Sequence, residues 1–334
     1  MKTQTKVLDK LEDVPVIGSI AKVIKANMGI LIGFVVLLVF LSIFAENFLS
    51  WANIVNLMRS VSTNAILAIG VMLSIMLAGI DLTCGALVAL SGVVAVLSMT
   101  QFGLPLPVAL VAGTLIGVIV GLANGVIIAY TGIHPFVVTL ACQSICRGAA
   151  YLAAGGKPVT VRSEAFTTLG NGYLGPIPLP VIYMLVLFFL LYLLLNKTRL
   201  GRHIYALGGN PTAAKYSGIN VTRVKIFVWA VSGLLASFAG VVLASRMSSG
   251  QPTAGVGYET DAIAAAVIGG TSMYGGVGRT SGVFIGVLII GMISNGLNLM
   301  HVNSFWQYVI KGVIIIVAVY FDMRKNKGNV RTGF

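Results

Sequence analysis

Three carboxylates and one guanidinium stand where the sequence is otherwise apolar. Asp81, Glu259 and Asp261 lie at breaks or ends of greasy runs, and Arg147 lies inside one. Ionisable groups in such places carry protons or meet a passing polar solute, or else they cap helices and pair with one another. Three scattered acids with no histidine beside them make a thin proton relay. Capping or pairing is therefore preferred: Asp81 caps the helix after it, and Asp261 caps the short segment it opens. A second set is Asn124, Gln143, Asn295 and Asn298, all amides within apolar helices. Such side chains can hydrogen-bond a passing polar solute, which makes them candidates for a translocation pathway. They equally suit hydrogen bonds between helices, the reading slightly favoured on chemistry alone. Cys84, Cys142 and Cys146 read as small packing residues, because no histidine or carboxylate stands beside them to complete a metal site. His134, His203 and His301 are assigned no chemistry. No G-x-x-x-x-G-K-[ST] phosphate loop occurs; the nearest approach, residues 275–280 (GGVGRT), lacks the lysine and reads as a tight turn. No catalytic residue, metal or cofactor is assigned to the chain.

These groups have to be positioned by helices in a membrane. The chain is 57% hydrophobic and 9% charged, whereas a soluble domain carries about 25% charged residues. So much apolar surface cannot be hidden in one soluble core. Whole segments are apolar all round rather than along one stripe, which suits helices among lipid and neighbours. About 20 apolar residues cross a bilayer. By that measure spans are expected at 29–45, 64–78, 84–100, 108–130, 135–154, 181–195, 226–245, 261–270, 281–299 and 305–321. The eighth is too short to cross alone and reads as half-buried, broken or re-entrant. Residues 46–63 read as an interfacial segment and 155–180 as a long polar loop. On the fourth span Gly113, Gly117, Gly121 and Gly125 recur every four residues, so one face admits another backbone closely. The fold class is all-α: a polytopic membrane protein of about ten transmembrane segments. A transmembrane domain at 28–322 lies between a basic tail at 1–27 and another at 323–334.

The formal net charge is +13. In a soluble protein that would suggest nucleic acid, but the basic residues lack interleaved aromatics and cluster in a few loops and tails. Topology explains them, and no nucleic-acid partner is expected. With ten crossings both termini share a side. That side gathers 16 of the 22 Lys and Arg residues in the two tails, in residues 196–225 and at Arg279. The positive-inside rule then gives both termini inside.

Residues 196–225, NKTRLGRHIYALGGNPTAAKYSGINVTRVK, hold six basic residues and no acid. Residues 201–207 read as the end of the sixth span and 208–211 as a turn. Pro211 suits the first position of a short helix capped by Asn210, running over 212–216 and stopped at Ser217-Gly218. A plain linker has no need of such turn and cap chemistry.

This loop strongly resembles the cytoplasmic loop of the permease subunit of ribose-type sugar ABC importers. Residues 64–90 (NAILAIGVMLSIMLAGIDLTCGALVAL), 248–279 (SSGQPTAGVGYETDAIAAAVIGGTSMYGGVGR) and 295–311 (NGLNLMHVNSFWQYVIK) are similar to that family as well, in order and with similar spacing. The resemblance spans about 29–322. It implies the ABC importer permease fold, type II-like, in the inner membrane of a bacterium. It implies a second copy of the permease, a cytoplasmic ATPase that binds the ATP, and a periplasmic or lipid-anchored sugar-binding protein. The loop that meets the ATPase maps onto Gly209, Asn210, Pro211, Ala213, Ala214, Lys215, Gly218 and Ile219. On the opposite side Arg59, Arg162 and Arg246 are candidates for meeting acidic residues of the binding protein, with solvated surface as an equal alternative. Galactose-type and signalling-molecule importers are rivals for the substrate. An ion-coupled secondary carrier is the rival from another class, and a membrane anchor a third reading that the glycine-rich helices disfavour.

Overall fold

A computed structural model describes residues 15–326, which form thirteen helices and four two-residue strands. Residues 1–14 and 327–334, and with them the outer parts of the two basic tails, lie outside the described residues. The helices run α1 (Pro15–Phe44), α2 (Trp51–Met76), α3 (Thr83–Thr100), α4 (Leu106–Thr131), α5 (Pro135–Ala154), α6 (Glu164–Asn171) and α7 (Leu179–Lys197). They continue with α8 (Arg199–Gly209), α9 (Pro211–Tyr216), α10 (Val221–Met247), α11 (Tyr258–Ile268), α12 (Thr280–Leu299) and α13 (Ser304–Asn326). Eight of them, α1 to α5, α7, α10 and α12, are long and apolar enough to cross a membrane. The apolar part of α13 is Ser304–Val317. The 11 residues of α11 rise only about 16 Å. The chain is thus an all-α, multi-pass membrane protein, with eight helices of spanning length, a closing helix and, near where the eighth segment is expected, the short broken stretch that ends in α11.

The centre is α2, α3 and α10. Residues 65–76 of α2 and nearly all of α3 are buried, and α10 packs against both. α1 and one face each of α4, α5, α7 and α13 leave large apolar side chains uncovered, as a lipid-facing surface requires. The four-residue glycine spacing on α4 meets its partner in α10. A methyl group built at Gly117 would overlap the carbonyl of Gly233, and one at Gly121 the carbonyl of Trp229. Gly113 and Gly125 lie against the same helix, at Val241 and Ile226. At Gly117, Gly121 and Gly125 the two backbones come close over about two turns, which is how helices gain packing energy where lipid offers no hydrophobic drive.

Three local expectations are corrected. Residues 51–63 are not a separate segment but form the first half of α2, where Asn53 bonds to α12 and Arg59 to the end of α6. The loop at 155–180 contains α6 and a small hairpin, β2 (Tyr173–Leu174) with β3 (Ile177–Pro178). Its β1 (Val159–Thr160) pairs antiparallel with β4 (Ser249–Gly250), beyond the end of α10. Residues 201–207 do not end the sixth span. They belong to a separate helix, because the Thr198 hydroxyl accepts from the N–H of Gly201 at 3.1 Å and restarts the helix as α8.

Gly117→Leu is expected to force α4 off α10 and cost about 1–3 kcal/mol, read as a lowered unfolding temperature in detergent. Gly148→Ala, on α5 where a methyl meets nothing within 4 Å, is expected to leave it unchanged. Equal stability of the two variants would contradict the packing account.

Candidate functional site

At one end of the bundle α8 and α9 build a ledge. α8 buries Ile204, Leu207 and Gly208. Gly208 sits against the Met76 carbonyl and Gly276, where a side chain would clash. The Gly276 N–H donates to Met76 O at 2.9 Å, and the Tyr205 hydroxyl donates to Gly278 O at 2.7 Å. Burial pushes the Tyr205 phenol above its ordinary value, so it remains a donor. The residues resembling a phosphate loop, 275–280, are therefore a turn locked against α2 and α8. Asn210 then leaves the helix with extended backbone, and its Oδ1 accepts from the N–H of Ala213 at 2.9 Å. Pro211 occupies the first position of α9, as the sequence predicts. Gly218, at φ +81°, ends it in a left-handed conformation that favours glycine. Asn220 caps α10 by accepting from the N–H of Arg223 at 3.0 Å.

Of the eight loop residues singled out from sequence, Gly209, Asn210, Pro211, Ala213, Lys215 and Gly218 are exposed. Ala214 is 4% exposed and Ile219 packs against the core, so these two anchor the ledge from beneath. The sequence reading missed Tyr216, 87% exposed at the end of α9. Its ring uncovered on a six-residue helix was readable only once the helix phase was known.

At the opposite end lie the three candidate arginines. Arg59 donates from Nη2 to Asn171 O at 2.8 Å and lies over the Tyr173 ring at 4.6 Å. Arg246 is half-buried, and its carbonyl accepts from Asn171 Nδ2 at 3.0 Å. Arg162 is exposed. Arg59 and Arg246 therefore both hold the α6 cap in place, and Arg162 projects beside it.

Between these ends runs a seam of polar groups. Asp81 lies in the break between α2 and α3. Its Oδ1 accepts from the N–H of Thr83 at 3.0 Å and its Oδ2 from the Ser232 hydroxyl at 2.6 Å. It serves the start of α3 one residue before the cap position, Leu82, and ties it to α10. Asn124 donates to Thr83 Oγ1 at 3.1 Å, and the Thr139 hydroxyl donates to Ile80 O at 2.9 Å. The break between α2 and α3 is thus closed by side chains from α4, α5 and α10.

The broken crossing has its own support. Arg147 of α5 donates through Nη1 to the carbonyls of Pro252 and Ala254, at 2.8 and 2.6 Å, and through Nη2 to Gly85 O at 3.2 Å. Glu259 accepts from Gln143 Nε2 at 3.3 Å, and its buried Oε2 has no hydrogen-bond partner among the described residues. A side chain at Gly85 would overlap that oxygen. Asp261 is not the cap of its helix. α11 begins three residues earlier at Tyr258, with Gly257 as cap, and Asp261 lies in its first turn. There it pairs with Lys311 of α13 at 2.8 Å. Lys311 was not picked out from the sequence, since its partner lies 50 residues away and on another helix. Asn53 and Asn295 exchange two amide hydrogen bonds, at 3.0 and 2.8 Å, and Asn298 accepts from Gln307 Nε2 at 2.8 Å. Each of the four amides singled out therefore bonds to another segment. Cys142 and Cys146 lie with sulfurs 4.0 Å apart as free thiols, and Cys84 is buried.

A double-mutant cycle with Asn53→Leu and Asn295→Leu is expected to show a coupling of about 0.6–1.7 kcal/mol, measured by unfolding in mixed micelles. Additive losses would mean the pair contributes nothing beyond its separate packing.

Known proteins carry the same pattern. The family model described as the branched-chain amino acid transport system / permease component matches residues 53–319. The ribose import permease protein RbsC of Haemophilus influenzae is 44% identical, over 87% of this chain and 91% of its own. RbsC of Bacillus subtilis is also 44% identical, over 90% and 94%. The D-allose transport system permease protein AlsC of Escherichia coli is 41% identical, over 86% and 88%. No solved structure matches. With four-fifths of its length matched by the model, and relatives of this identity along almost all of it, the chain belongs to the branched-chain amino acid transport system / permease component family.

Proposed function

We propose that this chain is the transmembrane subunit of an ATP-driven importer that carries ribose or a related monosaccharide across the inner membrane of a bacterium. The observation that carries this reading is the α8–α9 ledge: a capped short helix, exposed at Ala213, Lys215, Tyr216 and Gly218, braced from below against α2 and the turn after α11. Such a ledge suits a groove of a partner that pushes. The chain carries no nucleotide loop, so ATP belongs to a separate ATPase subunit, and the permease itself makes and breaks no bonds. Relatives named for ribose, D-allose and L-arabinose transport support a monosaccharide as cargo.

In this reading two copies of the chain form the pathway. ATP closes the ATPase pair and displaces the docked ledges, which rocks the membrane helices between outward and inward openings. A periplasmic binding protein delivers the sugar at the α6 end, where Arg162, and the guanidinium groups of Arg59 and Arg246 near it, offer positive charge to an acidic partner. Both termini and the ledge lie in the cytoplasm.

In vesicles holding the permease with its ATPase and binding protein, Gly218→Leu strains the left-handed turn by about 1–2 kcal/mol and puts bulk on the contact face. Tyr216→Ala removes the exposed ring without touching the backbone. Both are expected to lower sugar uptake at least tenfold with membrane insertion unchanged, while ATP hydrolysis loses its dependence on sugar-loaded binding protein. Normal uptake in both variants would remove the coupling assignment. Cysteine placed at Lys215 is expected to react only from the cytoplasmic side, and cysteine at Arg162 only from the other; reversed labelling would invert the topology.

A further inference from the structure

The cavities of this chain differ sharply in chemistry. One of about 460 Å³ between α4 and α5 is lined by Ile119, Val137, Ile145 and similar side chains, a surface for lipid tails or an apolar helix. Another, of about 390 Å³, lies between α11 and α13 and is lined by the Asp261–Lys311 pair, Thr260, Gln307, Tyr258 and Tyr308. Its volume falls within the range of small-molecule sites, about 300–1,000 Å³. At about 30 Å³ each it holds roughly a dozen waters.

An ion pair at membrane depth is costly against hydrocarbon, and such pairs face a bundle interior or a water-filled path. Asp261 is almost fully buried, with 7% of its side chain exposed, while Lys311 retains 23% toward the cavity. Their bond uses one carboxylate oxygen, Oδ2, and one ammonium proton. The ammonium has two further protons, and the carboxylate a second oxygen, for a ligand. Above them Gln307 bridges to Asn298. The Tyr308 ring, 62% exposed, lies beside Gly257, where a methyl would come to 3.8 Å of it. Hydrogen-bond donors and acceptors next to an aromatic face are the needs of a polyol: hydroxyls on one side, a C–H surface on the other.

We propose that the cavity between α11 and α13 is a sugar subsite on the translocation route, in which Asp261 accepts from and Lys311 donates to sugar hydroxyls while Tyr308 lies against the C–H face. The inference rests on the sugar-import reading above. It places the subsite on the broken helix, whose short length lets it shift without moving a whole span. A static latch between two helices has no use for an open space of about 390 Å³ around its ion pair.

The test is uptake of ribose and of singly deoxygenated riboses into vesicles containing the complete importer, with one binding protein throughout so that its selectivity cancels. Asp261→Asn is expected to lower ribose uptake about tenfold and to change the ratio of ribose to at least one deoxy analogue threefold or more. Tyr308→Leu, at an exposed position, is expected to change KM and the same ratio with the fold intact, and carries the test should Asp261→Asn not accumulate. The charge exchange Asp261→Lys with Lys311→Asp is expected not to restore uptake, because donor and acceptor are then transposed toward the sugar. Full recovery in the exchange, or uptake ratios unchanged in both single variants, assigns the pair to structure or the cavity to lipid and overturns the subsite. Absence of ATP-dependent ribose uptake by the wild type removes the import reading and the subsite with it.

Discussion

A single guanidinium holds non-helical backbone inside the membrane domain. Arg147 reaches from α5 to three carbonyls, two in the segment before α11 and one at Gly85. An unpaired backbone group in hydrocarbon costs several kcal/mol, and Arg147 satisfies two carbonyls that the helices leave free. The start of α11 depends on that support. The helix begins at Tyr258 after a non-helical stretch, and its first turn carries Glu259 and Asp261. Acids there are favoured by the positive end of the helix, and they take Gln143 and Lys311 as partners. The same arrangement excludes a side chain at Gly85 and opens the polar cavity beside α13.

The two ends of the bundle connect to this break through packing rather than through long flexible loops. The turn after α11 is bonded to Met76 at the end of α2 and to Tyr205 of α8. α8 in turn leads through Asn210 to the exposed α9. Backbones meet at Gly208 and Gly276, so the ledge and the turn after α11 are in direct contact. At the other end, α6 is pinned to α10 by Ser245 and Asn171 and to α2 by Arg59. Between them, α2, α3 and α10 form a block buried on nearly every face.

Much of this was legible in the sequence, for physical reasons. Apolar length reports a span whatever its neighbours, so the span series emerged almost intact. Asn210, Pro211 and Gly218 act within a few residues of themselves, so the α9 helix and its cap could be read directly. The glycine face of α4 was visible as spacing, although the sequence could not say that α10 would fill it. The features that escaped depend on distance along the chain. Asn53 finds Asn295 across 242 positions, and Arg147 finds Pro252 across 105. Polar residues 51–63 read as separate from the second span because those partners are not visible in sequence. Asp261 reads as a cap in sequence because nothing local marks the start of its helix at Tyr258, three residues earlier. The α6 helix was hidden in a loop whose glycines and prolines outweighed one buried aromatic, Phe166.

In the proposed cycle the chain is moved from outside itself, by a partner on the α8–α9 ledge, and not by an ion gradient across its own carboxylates. Uptake of labelled ribose into vesicles measures this directly. With ATPase, binding protein and ATP present and all gradients collapsed, uptake is expected; with the permease alone under an imposed proton or sodium gradient, none is expected. Accumulation driven by a gradient in the permease alone, without nucleotide, would contradict that cycle.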